Sequence, residues 1–499
     1  MTHSFSKFKS GTDIRGVASE GVAGEHVTLT DEVVERMAHG FALWSSEKLC
    51  RPVSELTFAV GRDCRISGER IAGVVTRALA SSGARVYDCG LSSTPAMFMT
   101  TVDMGCDASV QITASHHPFN RNGLKFFTRD GGLDHKDIEA ILLYAEHNDR
   151  PAVGDGTIEP LDYMARYMEH LRDIIRRGVN ADDYDRPLIG FHIVVDAGNG
   201  VGGFYEQVLC SLGADTAGSV CMQPDGMFPN HIPNPEDEQA MQSICHAVRD
   251  SHADLGVIFD TDVDRGGAVD ASGNEINRNR LVALAAAMAL EDAPGGTIVT
   301  DSITSAGVKT FIEDHLGGVH YRYRRGYKNI INKALELTAQ GQQVPLAIET
   351  SGHAAMKENY FLDDGAYLCT KIIIKLAQLR RQGRTLESLT EDLAEPVESE
   401  ELRLKITDED FRSTGERVIR ELSAYAESDP QWHIAPDNRE GIRVSFDKDS
   451  GDGWFLLRLS VHDPILPLNI ESDAAGGVAV IREKVLSFLR TQDGIELPA

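Results

Sequence analysis

Ser115 stands where a short strand-like stretch, Ala108 to Ile112, gives way to a polar loop within TASHHPFNRNGLKFF (Thr113 to Phe127). A rigid element that stops and turns among polar groups can present one reactive hydroxyl. Asn122-Gly123 favours a tight reversal, which would return Lys125 to the serine. Taken alone, the same hydroxyl serves as well for capping a loop. A second cluster lies in ADLGVIFDTDVDRGG, where Asp260, Asp262 and Asp264 follow an apolar run at a spacing of two. In continued extended geometry the three carboxylates share one side, and hard oxygen donors of this kind suit Mg²⁺. An EF-hand is excluded, because Arg265 stands where its glycine belongs and Ala271 where its bidentate glutamate belongs. A third segment, ETSGHAAMKENYFLDDGAY, follows the run VPLAI and alternates Glu349, Ser351 and His353. A carboxylate beside a hydroxyl can clamp vicinal sugar hydroxyls, although a turn with a capping serine has the same composition.

The three motifs together resemble the α-D-phosphohexomutases, the phosphoglucomutase/phosphomannomutase family. T-x-S-H-x-P followed by N-G-x-K is similar to the family's phosphoserine loop, D-x-D-x-D-R to its metal loop, and E-x-S-G-H to its sugar loop, whose usual leading glycine is Ile348 here. SGTDIRG places Arg15 in the N-terminal motif, and RRGYKNI puts Tyr327 and Lys328 in the specificity loop, without its usual T-x-V-G pattern. PDGMFPNHIPNPE also resembles the family's second domain and reads as a proline-fixed structural loop. The family's phosphate loop, R-x-S-[GN]-T-x-P, keeps Arg458, Ser460 and Pro464, with Val461 and His462 in place of its small and hydroxyl residues.

The resemblance implies that Ser115 is phosphorylated and that Asp260, Asp262 and Asp264 bind Mg²⁺ with a phosphoserine oxygen. It further implies that Glu349, Ser351, Tyr327 and Lys328 touch the sugar, while Arg458, Ser460 and His462 hold the distal phosphate. Arg265 joins the substrate-binding set, and Arg15, His116, Lys125 and His353 are the candidates for catalytic support. The implied activity is interconversion of hexose 1-phosphate and hexose 6-phosphate, of mannose or glucose, through a hexose 1,6-bisphosphate. Phosphoglucosamine mutase and sugar-bisphosphate synthase are the family alternatives. A metal-dependent phosphatase and a non-catalytic sugar-phosphate binder are the alternatives from other classes.

The elements that must position these residues repeat. Segments from Thr57, His192 and Thr297 each read as a β-branched strand, an Asp-bearing loop and an amphipathic helix. The pattern predicts a multi-domain α/β chain, with three related sheet-and-helix domains and a smaller α+β domain after them. The expected bounds are 1–181, which includes a bridging helix from Tyr163, then 182–276, 277–394 and 395–499. In the last domain the spacing predicts a helix from Gly415, alternating strands in GIRVSF and GWFLLRLSV, and a helix from about Val478 to Leu489.

A chain of 499 residues suggests about three or four domains. Its net charge of -27 argues against nucleic acid and anionic membrane as partners, while leaving room for an anionic small substrate at a local basic cleft. Eight scattered cysteines without a C-x-x-C pair suit reduced thiols in the cytosol. The ten-residue run LVALAAAMAL is too short to span a bilayer, and the N-terminus has no apolar signal region. Oligomeric state is not legible at this level.

Overall fold

The computed structural model describes residues 4–460 and 463–497. The chain forms two compact units, one running up to Leu281 together with Ser351–Ser388, the other Val282–Thr350 with the chain from Leu389 on. All eight cysteines are free thiols, and no helix among the described residues is long and apolar enough to cross a membrane.

In the first unit, Thr57–Arg62 lies between Arg85–Leu91 and Ala108–Ile112, and all three strands are parallel. Arg121–Thr128 then returns antiparallel to Ala108–Ile112 and pairs on its other edge with Asp13–Val17. Helices Asp31–Leu49, Gly68–Ser81 and His135–His147 bury Phe41, Leu79 and Ile141 against this sheet in one apolar core. A second sheet sets Ile193–Asp196 parallel to Leu255–Phe259, with Gly266–Asp270 antiparallel beside it. Leu255–Phe259 is buried throughout, as a strand covered on both faces must be.

The expected helix from Tyr163 spans Tyr163–Val179, and its buried Tyr163, Tyr167, Leu171 and Ile175 follow the helical period. It packs on helix Gly365–Arg381, so closely that a side chain on Gly178 would meet Ile374.

In the second unit, Val319–Arg322, Thr297–Thr300 and Leu346–Ile348 are parallel. The run LVALAAAMAL lies within helix Arg278–Asp292 and is buried almost throughout. The C-terminal part is an antiparallel sheet carrying helices Phe411–Ser428 and Gly477–Leu489. Its long strand Glu398–Ile406 falls in a stretch whose acidic composition gave no strand signal; its first six residues alternate between half-buried and exposed.

One expectation is corrected. Asn122-Gly123 is not a reversal but lies inside strand Arg121–Thr128; the chain turns earlier, where the Arg121 N–H donates to the Pro118 carbonyl (3.0 Å). Glycine is required at 123 for close approach, because a Cβ there would stand 2.2 Å from the Ile14 carbonyl oxygen and 2.9 Å from that of Thr113. Gly123→Ala should therefore cost about 1–3 kcal/mol in urea unfolding, the range for overpacking a tight site. An unchanged midpoint would mean that strand Asp13–Val17 moves aside freely.

Candidate active site

Ser115 is buried and adopts φ 50°, the left-handed region that side-chain-bearing residues rarely enter. Its N–H donates to Thr113 Oγ1 (2.9 Å). Its hydroxyl donates to Asp260 Oδ2 (2.9 Å) and accepts from Arg265 Nη2 (2.7 Å). Arg65 holds the surrounding loop by donating to the carbonyls of Ser115, His117 (2.7 Å), Pro118 (2.8 Å) and Arg121 (3.0 Å). Its counter-charge is Asp63, 3.3 Å away, and both side chains are fully buried.

The carboxylates converge by a different route from extended alternation. The strand ends at Phe259, and the chain turns through Val263 at φ 67°. Carboxylate oxygens of Asp260, Asp262 and Asp264 then lie within 4.8 Å of one another, all three residues buried. Antiparallel pairing of Gln111 with Lys125 returns that lysine to the cluster, where it bonds Asp264 and stands 3.7 Å from Asp262. Thr94 donates its hydroxyl to Asp262, and Arg265 Nε donates to Asp260 (3.2 Å). Burial and repulsion from Asp264 and Asp262 push the Asp260 carboxyl well above the usual range. Burial also opposes ionisation of Asp264, but Lys125, His353 and Arg265 outweigh it and hold that carboxyl below its ordinary value.

Asp262 Oδ1 and Asp264 Oδ1 are buried and accept no hydrogen bond among the described residues. Buried oxygens without donors, in a crowd of like charges, fit a metal ion.

Two histidines differ. His116 is kept neutral, since burial and then Arg265 push its pKa far down; Arg265 Nη2 lies 2.5 Å from its Nδ1. His353 rises to about 9: burial pulls it down, but Asp264 and Asp363 more than offset that. Its Nδ1 lies 3.3 Å from Asp363 and 3.9 Å from Asp264. The expected alternation through Glu349, Ser351 and His353 is broken, because the strand stops at Ile348 and Gly352 takes φ 92°. His353 instead pairs with Arg265 in an antiparallel bridge. Ser351 Oγ is buried without a hydrogen-bond partner among the described residues. Arg15 forms an ion pair with Asp13 (3.0 Å), on the strand paired with Arg121–Thr128.

In the second unit, Glu349 accepts from the Gly326 N–H (2.6 Å), which ties it to the segment before helix Tyr327–Ala339. Tyr327 and Lys328 are half-buried in the first turn of that helix. Arg458 follows strand Gly453–Leu457; its Nε is buried without a hydrogen-bond partner among the described residues, and burial, then Arg325, depress its pKa. Ser460 Oγ accepts from the Asp463 N–H (3.2 Å). Val461 and His462 lie outside the described residues.

Sequence reasoning missed Arg65, Thr94, Asp363 and Asn234, which accepts from Arg265 Nη1 (2.9 Å). Only Arg65 had a local signal, the Asp63-x-Arg65 pair in the loop after a predicted strand. Replacing Arg65 by methionine removes the side-chain donor to four carbonyls and the counter-charge of Asp63. We expect a loss of at least about 3 kcal/mol in denaturant unfolding, the scale for breaking one side of a buried ion pair. A loss under about 1 kcal/mol, within the range of ordinary surface substitutions and modest hydrogen bonds, would show that the loop holds without it.

Three family models match the chain: phosphoglucomutase/phosphomannomutase alpha/beta/alpha domain I over residues 7–150, domain II over 165–273 and domain III over 277–397. A phosphomannomutase/phosphoglucomutase of Pseudomonas aeruginosa is 31% identical over 485 residues, covering 96% of this chain and 95% of its own length. A phosphoglucomutase of Neisseria gonorrhoeae is 29% identical over 489 residues, or 97% of each chain. Among solved structures, a phosphoglucomutase/phosphomannomutase family protein from Burkholderia thailandensis superimposes with a TM-score of 0.81 at 26% identity, over 99% of this chain and 100% of that one. With the serine loop, the carboxylate cluster and these matches in agreement, the chain belongs to the phosphoglucomutase/phosphomannomutase family of α-D-phosphohexomutases.

Proposed function

We propose that this protein is a phosphohexomutase that interconverts the 1- and 6-phosphates of glucose or mannose, with phosphorylated Ser115 as the group carrier. The observation that carries the reading is the Ser115 hydroxyl held between Asp260 and Arg265. A hydroxyl that only capped a loop would need neither a buried carboxylate nor a buried guanidinium.

A phosphoserine carries close to two negative charges at neutral pH. Beside three buried carboxylates it requires a cation, and Asp260, Asp262, Asp264 and a phosphoseryl oxygen would hold Mg²⁺. When bound, the ion neutralises charge on the transferring group.

The chain's own residues account for the rest. In the first transfer the bond from Ser115 Oγ to phosphorus breaks, and one forms to the 6-hydroxyl oxygen of a hexose 1-phosphate. The hydroxyl proton leaves to a base, for which Lys125 is the candidate, and His353, kept protonated by Asp264 and Asp363, is the candidate acid for the returning proton. The product is a hexose 1,6-bisphosphate. After reorientation its 1-phosphoryl passes back to Ser115 Oγ, the C1 oxygen takes a proton, and hexose 6-phosphate leaves. Arg265 stabilises charge on Ser115 Oγ throughout, and Arg15 stays cationic because guanidinium resists deprotonation. His116, held neutral, positions Arg265. Glu349 and Ser351 are the candidates for the sugar hydroxyls, and Tyr327 and Lys328 for sugar preference. Arg458 and Ser460 are the candidates for the non-reacting phosphate.

The test is turnover of glucose 1-phosphate with Mg²⁺ and a trace of glucose 1,6-bisphosphate, following glucose 6-phosphate and free phosphate together. We expect isomerisation without phosphate release, no isomerisation by Ser115→Ala, and loss of activity on chelation that Mg²⁺ restores. Phosphate release without isomerisation would instead identify a phosphatase, and absence of any turnover a binder. Mannose and glucosamine 1-phosphates run alongside decide the branch. Arg458→Ala should lower kcat/KM by about 10- to 100-fold, as expected for one lost charged hydrogen bond to phosphate.

A further inference from the structure

Asp196, Cys221 and His231 converge in the first unit, among residues that the phosphoryl chemistry does not use. Asp196 ends the buried strand Ile193–Asp196. A parallel backbone bridge between Asp196 and Val220 brings Cys221 alongside, and His231 arrives from the 224–236 loop. A carboxylate oxygen, the Cys221 sulfur and an imidazole nitrogen lie within 4.8 Å of one another.

The surroundings are arranged around that point. His231 Nδ1 lies 2.9 Å from the Ile232 carbonyl oxygen, which can only accept, so Nδ1 carries the hydrogen. Nε2 then faces both Asp196 oxygens, each 3.1 Å away. At that distance nitrogen and carboxylate need a positive charge between them: a proton on Nε2, forming an ion pair with Asp196, supplies it without a metal, and a bound ion would take that proton's place. The carboxylate is itself fixed by the Gly198 N–H (2.9 Å) and the Ser243 hydroxyl (2.7 Å). A carbonyl on the far imidazole nitrogen and donors on the carboxylate are the supports that metal-ligating side chains receive. Asp196 and His231 are buried, whereas Cys221 is partly exposed, at φ 53°, which leaves a path for entry.

We propose that Asp196, Cys221 and His231 form a second metal site, specific for a divalent transition ion of the zinc class. One oxygen, one nitrogen and one sulfur donor suit zinc, with an open fourth position. The thiolate discriminates against Mg²⁺, which prefers oxygen alone. Such an ion would fasten the end of strand Ile193–Asp196 to the loop whose Asn234 holds Arg265.

Co²⁺ provides the probe, since thiolate ligation gives a charge-transfer band in the near ultraviolet. The full-length chain, reduced and freed of metal by chelation, is titrated with Co²⁺ in excess Mg²⁺. We expect the band in the wild type and in Asp260→Asn, and its loss in Cys221→Ser of unchanged circular dichroism. Zn²⁺ should raise the Tm of the wild type and not that of Cys221→Ser. Ser243→Ala, which keeps all three ligands, should weaken Zn²⁺ binding by about 10- to 100-fold; this variant decides the matter should Cys221→Ser not fold. No band in the wild type, a band that survives Cys221→Ser, or unaltered Zn²⁺ affinity in Ser243→Ala would overturn the assignment.

Discussion

Burying three carboxylates within reach of one another is the constraint on which the first unit depends. Each ionised carboxylate taken out of water costs several kcal/mol, so the cluster persists only where other segments supply compensation. Here the compensation comes from Thr94, Lys125, Arg265 and His353, which belong to segments far apart in the chain. It is also incomplete, because Asp262 and Asp264 each keep a buried oxygen without a donor among the described residues. A site selected for stability alone would have closed that gap with apolar side chains. One that receives a cation and a phosphoryl group must leave it open.

The same economy shows in the backbone. Ser115 and Val263 both adopt left-handed conformations, and for a β-branched residue this costs on the order of 1–3 kcal/mol. Neither is left to local preference. Arg65 binds four carbonyls of the serine loop, and Gly365 and Thr94 donate backbone N–H groups to the carbonyls of Val263 (3.0 Å) and Asp262 (2.8 Å). These contacts turn a strained strand end into a fixed one. Ser115 Oγ and the Asp260 carboxylate are therefore held at hydrogen-bond distance by the fold around them.

What was legible in the chain follows from this. Ser115 and the three aspartates stand in short segments after apolar strands, so type and spacing pointed to them. Lys125 instead lies inside strand Arg121–Thr128 and reaches the cluster by strand pairing rather than by the expected turn. The helical period marked Tyr163–Val179 well. Both geometric guesses failed for one reason: alternation assumes that strand geometry continues, whereas function is placed where it stops. Gly123 was misread because close packing against Ile14 leaves no local trace, and a turn is the commoner use of Asn-Gly. Arg65 was missed because its partners are carbonyl oxygens, which every residue carries. Strand Glu398–Ile406 was hidden because Glu398 and Glu400 occupy its half-buried positions, so its first half shows no apolar alternation.

Net charge misleads in the same way, by averaging over the chain. A total of -27 describes mostly a solvated surface, and at physiological salt such charges are screened beyond about 8 Å. What a sugar phosphate meets is local. In the second unit Arg458 is half-buried, and its buried Nε lacks a hydrogen-bond partner among the described residues. Neighbouring Arg325 adds to the strain, since each guanidinium disfavours the other's charge. A dianion placed between such groups relieves repulsion as well as forming new bonds, so affinity for phosphate can be high on a strongly acidic protein. The first unit solves the converse problem, gathering Lys125, Arg265 and His353 around Asp260, Asp262 and Asp264. Each arrangement suits the chemistry proposed for its unit, a cation-assisted transfer in one and the holding of a bare phosphate in the other.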